Sequence, residues 1–140
     1  MQQAENPPTL ETKMSFYYIA SPYSHRDPEE VHLRFVKVMS FTAALMKAKV
    51  PVYSPIVHCH ELSIVHKLPT TADYWVPMNH AMLEASIGTI VLAIPGWEES
   101  LGVQEEMAYT IQLGKTAYLG ANSERWINEM VERYRNHVPF

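Results

Sequence analysis

The sequence is poor in cysteine and in clustered charge. Its single cysteine, Cys59, excludes an internal disulfide framework and is typical of a reducing compartment, so we expect a cytoplasmic protein. No run of Lys and Arg is longer than two residues and the net charge is -4, which argues against a nucleic-acid partner because phosphate binding requires a basic surface. No apolar stretch approaches the roughly 18 residues that span a bilayer, so no membrane partner is expected.

Length and composition indicate one globular domain. The chain has 140 residues, of which 47% are hydrophobic and 19% charged, enough to bury a core. Residues 1–14 lack the basic and apolar regions of a signal peptide and predict a short disordered leader. The single domain is predicted to span residues 15–140.

Short apolar runs alternate with helical patterns along this domain. Strands are predicted at residues 15–20, 50–54, 89–94 and 116–119, and helices at 27–49, 73–85, 100–113 and 123–136. Residues 56–71 are predicted to be irregular apart from a helical turn at 61–66, and Pro77 is predicted to kink or restart its helix. The alternation predicts an α/β fold, a three-layer Rossmann/flavodoxin-like parallel sheet of about four to five strands with helices on both faces.

Ligands of such sheets bind beyond the carboxyl ends of the strands. The loops of interest are therefore 21–27, 55–59 and 95–102, the last of which precedes a helix with Glu105 and Glu106 in its expected first turn. On a helical wheel Glu105 points to another side than Glu106, which shares its buried side with Val103, Met107, Thr110 and Ile111. We expect the helix dipole to keep Glu106 ionised, and Ser100 with Gly102 to form an anion site. A purely structural reading, in which Ser100 is only an N-cap, is open as well.

Three segments together resemble a known family. They are "YIASPY" at 18–23, "DYWVPMNHAML" at 73–83 and "GWEESLGVQEEMAYTIQLGK" at 96–115. The last resembles the strand-to-helix corner of the nucleoside 2-deoxyribosyltransferase-like superfamily. Its pattern Ser100-Leu101-Gly102-Val103-x-x-Glu106 looks closest to the 2′-deoxynucleoside 5′-monophosphate N-glycosidases, and its Pro-Gly-Trp start is similar to uncharacterised bacterial and phage relatives. The resemblance covers nearly all of residues 16–119.

The resemblance implies roles for individual residues. Glu106 matches the nucleophile that attacks the anomeric carbon, and Tyr18 matches the tyrosine that orients this carboxylate. Ser100 and Gly102 match the corner that holds the 5′ end of the substrate. Further substrate contacts are expected from the first loop, at Ser21, Pro22, Tyr23, Ser24 and Arg26. From their own chemistry, His58 can reach the base or sugar and Trp97 can stack on a base, although burial or a subunit contact explains Trp97 equally well.

One position departs from the family pattern. The family usually supplies an Asp from the helix before the third strand, whereas this chain has Asn79 and His80 at the nearest positions, with Asp73 nearly two turns earlier. Asn79 can hydrogen-bond a base, and His80 can donate a proton near neutral pH.

The implied reaction is substitution at the sugar carbon through a glycosyl-enzyme, which water or a second base then resolves. The implied substrate is a nucleoside or nucleotide, the implied assembly a homodimer or homotetramer, and no cofactor is required. The segment "HCHELSIVH" at 58–66 lacks the His-Glu-x-x-His spacing, so no metal site is expected. Two other functions stay open: a non-catalytic nucleotide-binding module, and a phosphoribohydrolase or NAD-related hydrolase.

Overall fold

The structure is a computed structural model that describes residues 14–137. In chain order its elements are β1 (Tyr17–Ala20), α1 (Pro28–Lys47), β2 (Val52–Tyr53), α2 (Pro55–His66), α3 (Ala72–Ala85), β3 (Gly88–Leu92), α4 (Leu101–Gln112), β4 (Ala117–Gly120) and α5 (Glu124–His137). The predicted leader lies outside the described residues except for Met14, as does the end of the predicted domain after His137.

The four strands form one parallel sheet in the order β2-β1-β3-β4. The register places Ile19 beside Ile90, and Leu92 beside Gly120. The predicted α/β fold is thus confirmed, with four strands. Because the chain passes from β1 to β2 on one side and then to β3 on the other, the crevice between the carboxyl ends of β1 and β3 is the switch point at which such sheets bind ligands.

Successive residues of each strand face two different helical layers. Tyr17 and Ile19 of β1 belong to a buried cluster with residues of α1 and α5. Tyr18 and Ala20 belong to a second buried cluster with Val103 of α4 and residues of α3. The sheet is therefore the middle of three layers, and Tyr18 faces the helix that carries Glu106.

Helix α2 corrects the sequence-based prediction, in which only residues 61–66 of this segment are helical, whereas residues 67–71 lie outside any helix as predicted. Pro55 appears in the sequence to close the second strand, but it is the first residue of a helix because proline fits the first helical turn. Ser54 caps this helix by accepting the N–H of Val57 at 3.1 Å. The same signal, Asp27 before Pro28, is recognised correctly at the start of α1.

Two details of the helical predictions change. Of the kink and the restart predicted at Pro77, the restart does not occur, because α3 is continuous from Ala72 to Ala85. On α4 the buried side consists of Val103, Glu106 and Thr110, whereas Ile111 is 64% exposed because it lies about 100° around the helix from Thr110. Within residues 14–137 none of the helices has the combined length and apolarity that crossing a membrane requires.

Candidate functional site

Two loops border the crevice between β1 and β3: residues 21–27 after β1 and residues 93–100 after β3. The second loop ends at Ser100, whose Oγ accepts the N–H of Val103 at 3.2 Å and so caps α4. Ser100 is therefore the N-cap of α4, whereas the predicted anion site at Ser100 and Gly102 stays a prediction. Since α4 begins at Leu101, Glu106 lies in its second turn and not in the first as expected.

A tyrosine and a glutamate form the centre of this site. The hydroxyl of Tyr18 donates a hydrogen bond to Oε2 of Glu106, although the residues are 88 positions apart in the chain. Tyr18 is fully buried and Glu106 is 8% exposed. The structure thus brings together the two residues that the resemblance assigns to catalysis.

Burial determines the charge of this pair. It raises the pKa of Glu106 to about 8, against the lowering effect of the Tyr18 hydrogen bond and with a further contribution from Glu105. Burial, followed by the nearby Glu106 carboxylate, raises the pKa of Tyr18 far above its usual value, so the phenol keeps its proton. The expectation that the dipole of α4 holds Glu106 ionised is wrong at neutral pH, because that effect is confined mainly to the first turn.

A second cluster connects α3 to α4 beside Glu106. Nε2 of His80 lies 2.6 Å from Oε2 of Glu105, and the His80 ring stacks on Tyr109 with centroids 3.6 Å apart. The Tyr109 hydroxyl donates to Glu84, one turn after His80 on α3. Glu105 and Tyr109 are four residues apart and so share the face of α4 that meets α3, as the helical wheel predicts.

The first loop contains both buried and exposed candidates. Ser21 and Pro22 are buried at the end of β1, and within residues 14–137 the Ser21 hydroxyl has no hydrogen-bond partner. Buried hydroxyls normally have a partner, so Ser21 is suited to contact a polar group of a ligand. Tyr23 is directed to α2, where its hydroxyl lies 2.7 Å from Nδ1 of His60, and Arg26 is exposed.

Arg34 of α1 is a site residue that the sequence-based prediction missed. Its Nη1 donates to the carbonyl oxygen of Ser24 at 2.8 Å, and its Nη2 lies against Gly96 in the loop after β3. With its side chain only 11% exposed, Arg34 connects the two loops that border the crevice. A signal was present in the sequence, because Arg34 falls three residues after Val31 and four before Val38, on the apolar stripe of α1.

A family model described as a domain of unknown function, DUF1937, matches residues 15–121. The chain belongs to this family. The part matched by DUF1937 begins two residues before β1 and ends one residue after β4, so it contains Tyr18, both crevice loops and Glu106 but not α5. No curated protein matches the chain.

Three other predicted site residues of this DUF1937 domain are less closely connected to the pair. Asn79 is half-buried on α3, and His58 is exposed on α2. Trp97 packs half-buried against the core cluster between the sheet and helices α3 and α4, and its predicted stacking on a base stays a prediction. A Cβ added to Gly102 would meet only Ser100 Oγ, at 3.9 Å, so the fold itself does not require glycine there.

The histidine-rich segment 58–66 of the DUF1937 domain is helical. His58 and His60, two positions apart on α2, face different directions, so the extended geometry in which they could share a ligand does not occur. The ring of His60 stacks on Phe35 with centroids 3.8 Å apart. In the described part of the chain no group of three His, Cys, Asp or Glu side chains could hold a metal ion.

Two concavities of the DUF1937 chain lie away from the tyrosine-glutamate pair. One, of about 400 Å³, is bordered by α1 and by the ends of β3 and β4, including Lys37 and Asn122. The other follows α5 between Glu124 and Glu132. Glu106 borders neither of these two. The candidate site is defined by the side chains that converge on the crevice between β1 and β3.

Replacing Gly96 with alanine is expected to destabilise the protein by about 1 kcal/mol more than replacing Gly114 with alanine. Both glycines have positive φ, 98° and 77°, so both variants carry backbone strain. Only at Gly96 would the new Cβ lie 2.4 Å from Nη2 of Arg34, which must then leave the Ser24 carbonyl, whereas nothing lies within 4 Å at Gly114. Urea unfolding measures both losses. Equal losses, or a difference that persists in an Arg34→Ala background, would contradict this connection between the loops.

Proposed function

We propose that the chain is an N-glycosidase or deoxyribosyltransferase that cleaves the base–sugar bond of a nucleoside 5′-monophosphate or nucleoside through a glycosyl-enzyme on Glu106. The observation that carries this proposal is the buried hydrogen bond from Tyr18 to Glu106. Tyr18 lies on β1 two residues before its carboxyl end, and Glu106 lies on the second turn of α4, the helix that follows the carboxyl end of β3, so both residues are close to the edge at which a parallel sheet presents its ligand. A carboxylate held there is suited to nucleophilic attack on a sugar carbon.

The first step needs an ionised Glu106. The Tyr18 hydroxyl donates to Oε2, which fixes the carboxylate and leaves Oε1 to attack C1′. As the new C–O bond forms, the bond from C1′ to the base nitrogen breaks and its electron pair passes to the base. The departing base takes up a proton, for which His80 is the candidate donor, while Asn79 is a candidate hydrogen-bond partner of the base.

The second step regenerates Glu106. Attack of water on C1′ breaks the ester and releases a free sugar or sugar phosphate, whereas attack by the nitrogen of a second base gives a new nucleoside or nucleotide. The first outcome defines a hydrolase and the second a transferase. The same two residues serve both.

The start of α4 is the candidate site for the 5′ end of the substrate. The Ser100 hydroxyl accepts the N–H of Val103 and its carbonyl accepts the N–H of Gln104, which leaves the first two amides, those of Leu101 and Gly102, for a ligand. Amides at a helix N-terminus favour an anion such as a phosphate. This arrangement supports a nucleoside 5′-monophosphate over a nucleoside.

The direct test is incubation of the purified protein with a panel of ribo- and deoxyribonucleosides and their 5′-monophosphates, followed by chromatography for free base. We expect release from at least one deoxyribonucleoside 5′-monophosphate. A second base added in excess distinguishes transfer from hydrolysis. No free base from any member of the panel would refute the proposal, and release restricted to ribose compounds would indicate a phosphoribohydrolase.

Replacing Tyr18 with phenylalanine is expected to lower base release at pH 7 by roughly 10- to 100-fold. The hydroxyl lowers the pKa of Glu106, so its removal raises that pKa and leaves less of the carboxyl ionised. The pH dependence of kcat/KM should therefore move to higher pH. Tyr17→Phe is the matched control, because Tyr17 is the adjacent buried tyrosine of β1 and faces the opposite layer. Equal effects of the two substitutions would contradict a specific role of Tyr18.

A second candidate function is a non-catalytic nucleotide-binding module. It is favoured by the raised pKa of Glu106, which leaves this carboxyl mostly protonated at neutral pH in the ligand-free chain. Isothermal titration calorimetry with the same panel separates the two functions. Tight binding without base release at any pH between 6 and 9 would support the module, and steady turnover would exclude it.

The homodimer or homotetramer implied by the resemblance is also part of the proposal. Exposed apolar side chains support it, among them Ile64 and Val65 of α2, which are 60% and 63% exposed. Light scattering on the purified protein gives the assembly directly. The proposed cytoplasmic location is supported by the buried free thiol of Cys59, which suits a reducing compartment.

A further inference from the structure

The outer side of α1, which faces away from the sheet, is apolar over most of its length. Its exposed apolar residues are Leu33, Val36, Met39, Ala43 and Met46. The four large side chains among them are between 39% and 57% exposed. The inner side carries the buried residues Val38, Phe41, Thr42 and Leu45. Because the outer side of a helix on a sheet is normally polar, this surface indicates a contact with another molecule.

The five outer residues lie on one line along the helix, which we call the outer stripe. From Val36 onward they follow one another at intervals of three, four and three residues, and Leu33 lies three residues before Val36. Intervals of three and four keep side chains on one side of an α-helix, and their alternation is the spacing by which two helices pack together. From Leu33 to Met46 the outer stripe is about 20 Å long. It is therefore the kind of surface that pairs with another helix.

The two ends of the outer stripe carry opposite charges. Glu29 lies in the first turn of α1 and Lys47 in the last turn, and both are exposed. They are 18 residues apart, or five turns of about 3.6 residues, so they lie on the same side of the helix, beside the stripe. Within residues 14–137 neither forms a salt bridge, and residues 31–46 contain no acidic side chain. The outer side of α1 is thus acidic at one end and basic at the other.

We propose that α1 packs antiparallel on α1 of a second copy of this chain, across a two-fold axis next to Met39. The same surface then serves in both copies, as two-fold symmetry requires. Val36 of one copy faces Ala43 of the other. Leu33 likewise faces Met46, so apolar side chains meet along the whole outer stripe.

The end charges favour the antiparallel direction. In this arrangement Glu29 of each copy comes close to Lys47 of the other, so each end of the contact carries a pair of opposite charges. Parallel helices would instead bring Glu29 to Glu29 and Lys47 to Lys47, and like charges in an interface oppose association. The charge pattern of α1 is therefore complementary to itself only when the second copy is reversed.

This inference deepens the homodimer proposed above and rests on that part of the proposed function, but not on the proposed reaction. Helix α1 packs on one side of the sheet with α5, whereas α4 packs on the other side with α3. The contact therefore leaves α4 and its Glu106 uncovered. A dimer and base release can each occur without the other.

The test is sedimentation velocity of the purified protein over a range of concentrations. We expect a dimer, and we expect Met39→Glu to raise its dissociation constant by roughly 100-fold or more, because two like charges would be buried at the axis. Ile64→Glu is the matched control, since it introduces the same residue at an exposed position of α2 and should leave the dimer intact. Circular dichroism should show both variants folded, because both positions are exposed.

A charge reversal tests the direction of packing. Glu29→Lys and Lys47→Glu should each weaken the dimer by roughly 10-fold, because each brings like charges together at both ends of the contact. The double variant Glu29→Lys/Lys47→Glu should restore the dimer, since every pair is then reversed. An effect on α1 alone gives the opposite result, because both substitutions oppose the helix dipole and their costs add. A double variant that dimerises no better than either single variant would overturn the antiparallel contact.

The outcomes distinguish this inference from the proposed function. A protein that is monomeric at every concentration would overturn the contact together with the proposed assembly. A dimer that Met39→Glu leaves intact, or that Met39→Glu and Ile64→Glu weaken equally, would place the interface on another surface and overturn this inference alone. Base release is measured separately on the same samples, so its absence refutes the reaction and leaves the contact standing.

Discussion

Glu106→Gln is expected to lower the rate of base release by about 10,000-fold or more at pH 8. Glutamine has nearly the same volume, and its amide oxygen can still accept the hydrogen bond from Tyr18, so the geometry of the pair is retained. The amide cannot form the glycosyl ester, and the reaction loses its covalent route. Glu106→Asp keeps the carboxylate but withdraws it by one methylene, so a smaller loss of about 100- to 1,000-fold is expected. Chromatography of the released base measures both.

Two controls separate lost chemistry from lost structure. Glu129→Gln makes the same chemical change at an exposed position on α5, in the layer opposite α4, and should leave the rate unchanged. Calorimetry with the substrate found in the panel should show that Glu106→Gln still binds it. Base release by Glu106→Gln at the rate of the unaltered protein would remove Glu106 from the mechanism.

The architecture could be predicted because its signals are local. Strand β3 (Gly88–Leu92) is buried at every position and ends in Ile, Val and Leu, as expected of a strand covered on both faces. The alternation of such runs with capped helices implies a parallel sheet. Helix α2 was missed for an equally local reason. Its apolar residues Ile64 and Val65 are exposed, so no period of 3.6 residues marks a buried face.

The site could be predicted only in part, because its properties depend on contacts between distant segments. The resemblance alone was sufficient to pair Tyr18 with Glu106. The charge of Glu106 depends on its depth and on its distance from the start of α4, and neither can be read from residue types. The apolar stripe of α1 indicates that Arg34 is buried, but it does not indicate that Arg34 contacts the crevice loops, because one sequence contains no pattern that pairs such positions.

Glu106→Gln is also expected to stabilise the protein, and mainly at alkaline pH. A glutamate in the unfolded chain titrates near 4.5, whereas burial raises the pKa of Glu106 in the fold to about 8. Between these values the folded state holds a proton that the unfolded state has lost, so the free energy of unfolding decreases as the pH rises. This loss of stability is absent below about pH 4.5 and complete above about pH 8. Glutamine has no such proton. The free energy of unfolding of Glu106→Gln, relative to that of the unaltered protein, should therefore grow by about 3–5 kcal/mol from pH 4 to pH 9.

Urea unfolding across this pH range measures the effect. Only the change of the difference with pH is informative, because the cost of burying the amide of glutamine is the same at every pH. Glu129→Gln should show no comparable growth, since its carboxylate is exposed. A constant difference between Glu106→Gln and the unaltered protein would mean that Glu106 titrates in the fold as it does in the unfolded chain, and is therefore charged at neutral pH. If the change in stability instead ends at the pH at which the acid limb of kcat/KM has its midpoint, the loss of one proton from Glu106 explains both pH dependences. The fold then loses stability as this buried carboxyl acquires the negative charge that it needs for attack. This is the trade-off between stability and activity that is expected of a buried catalytic group.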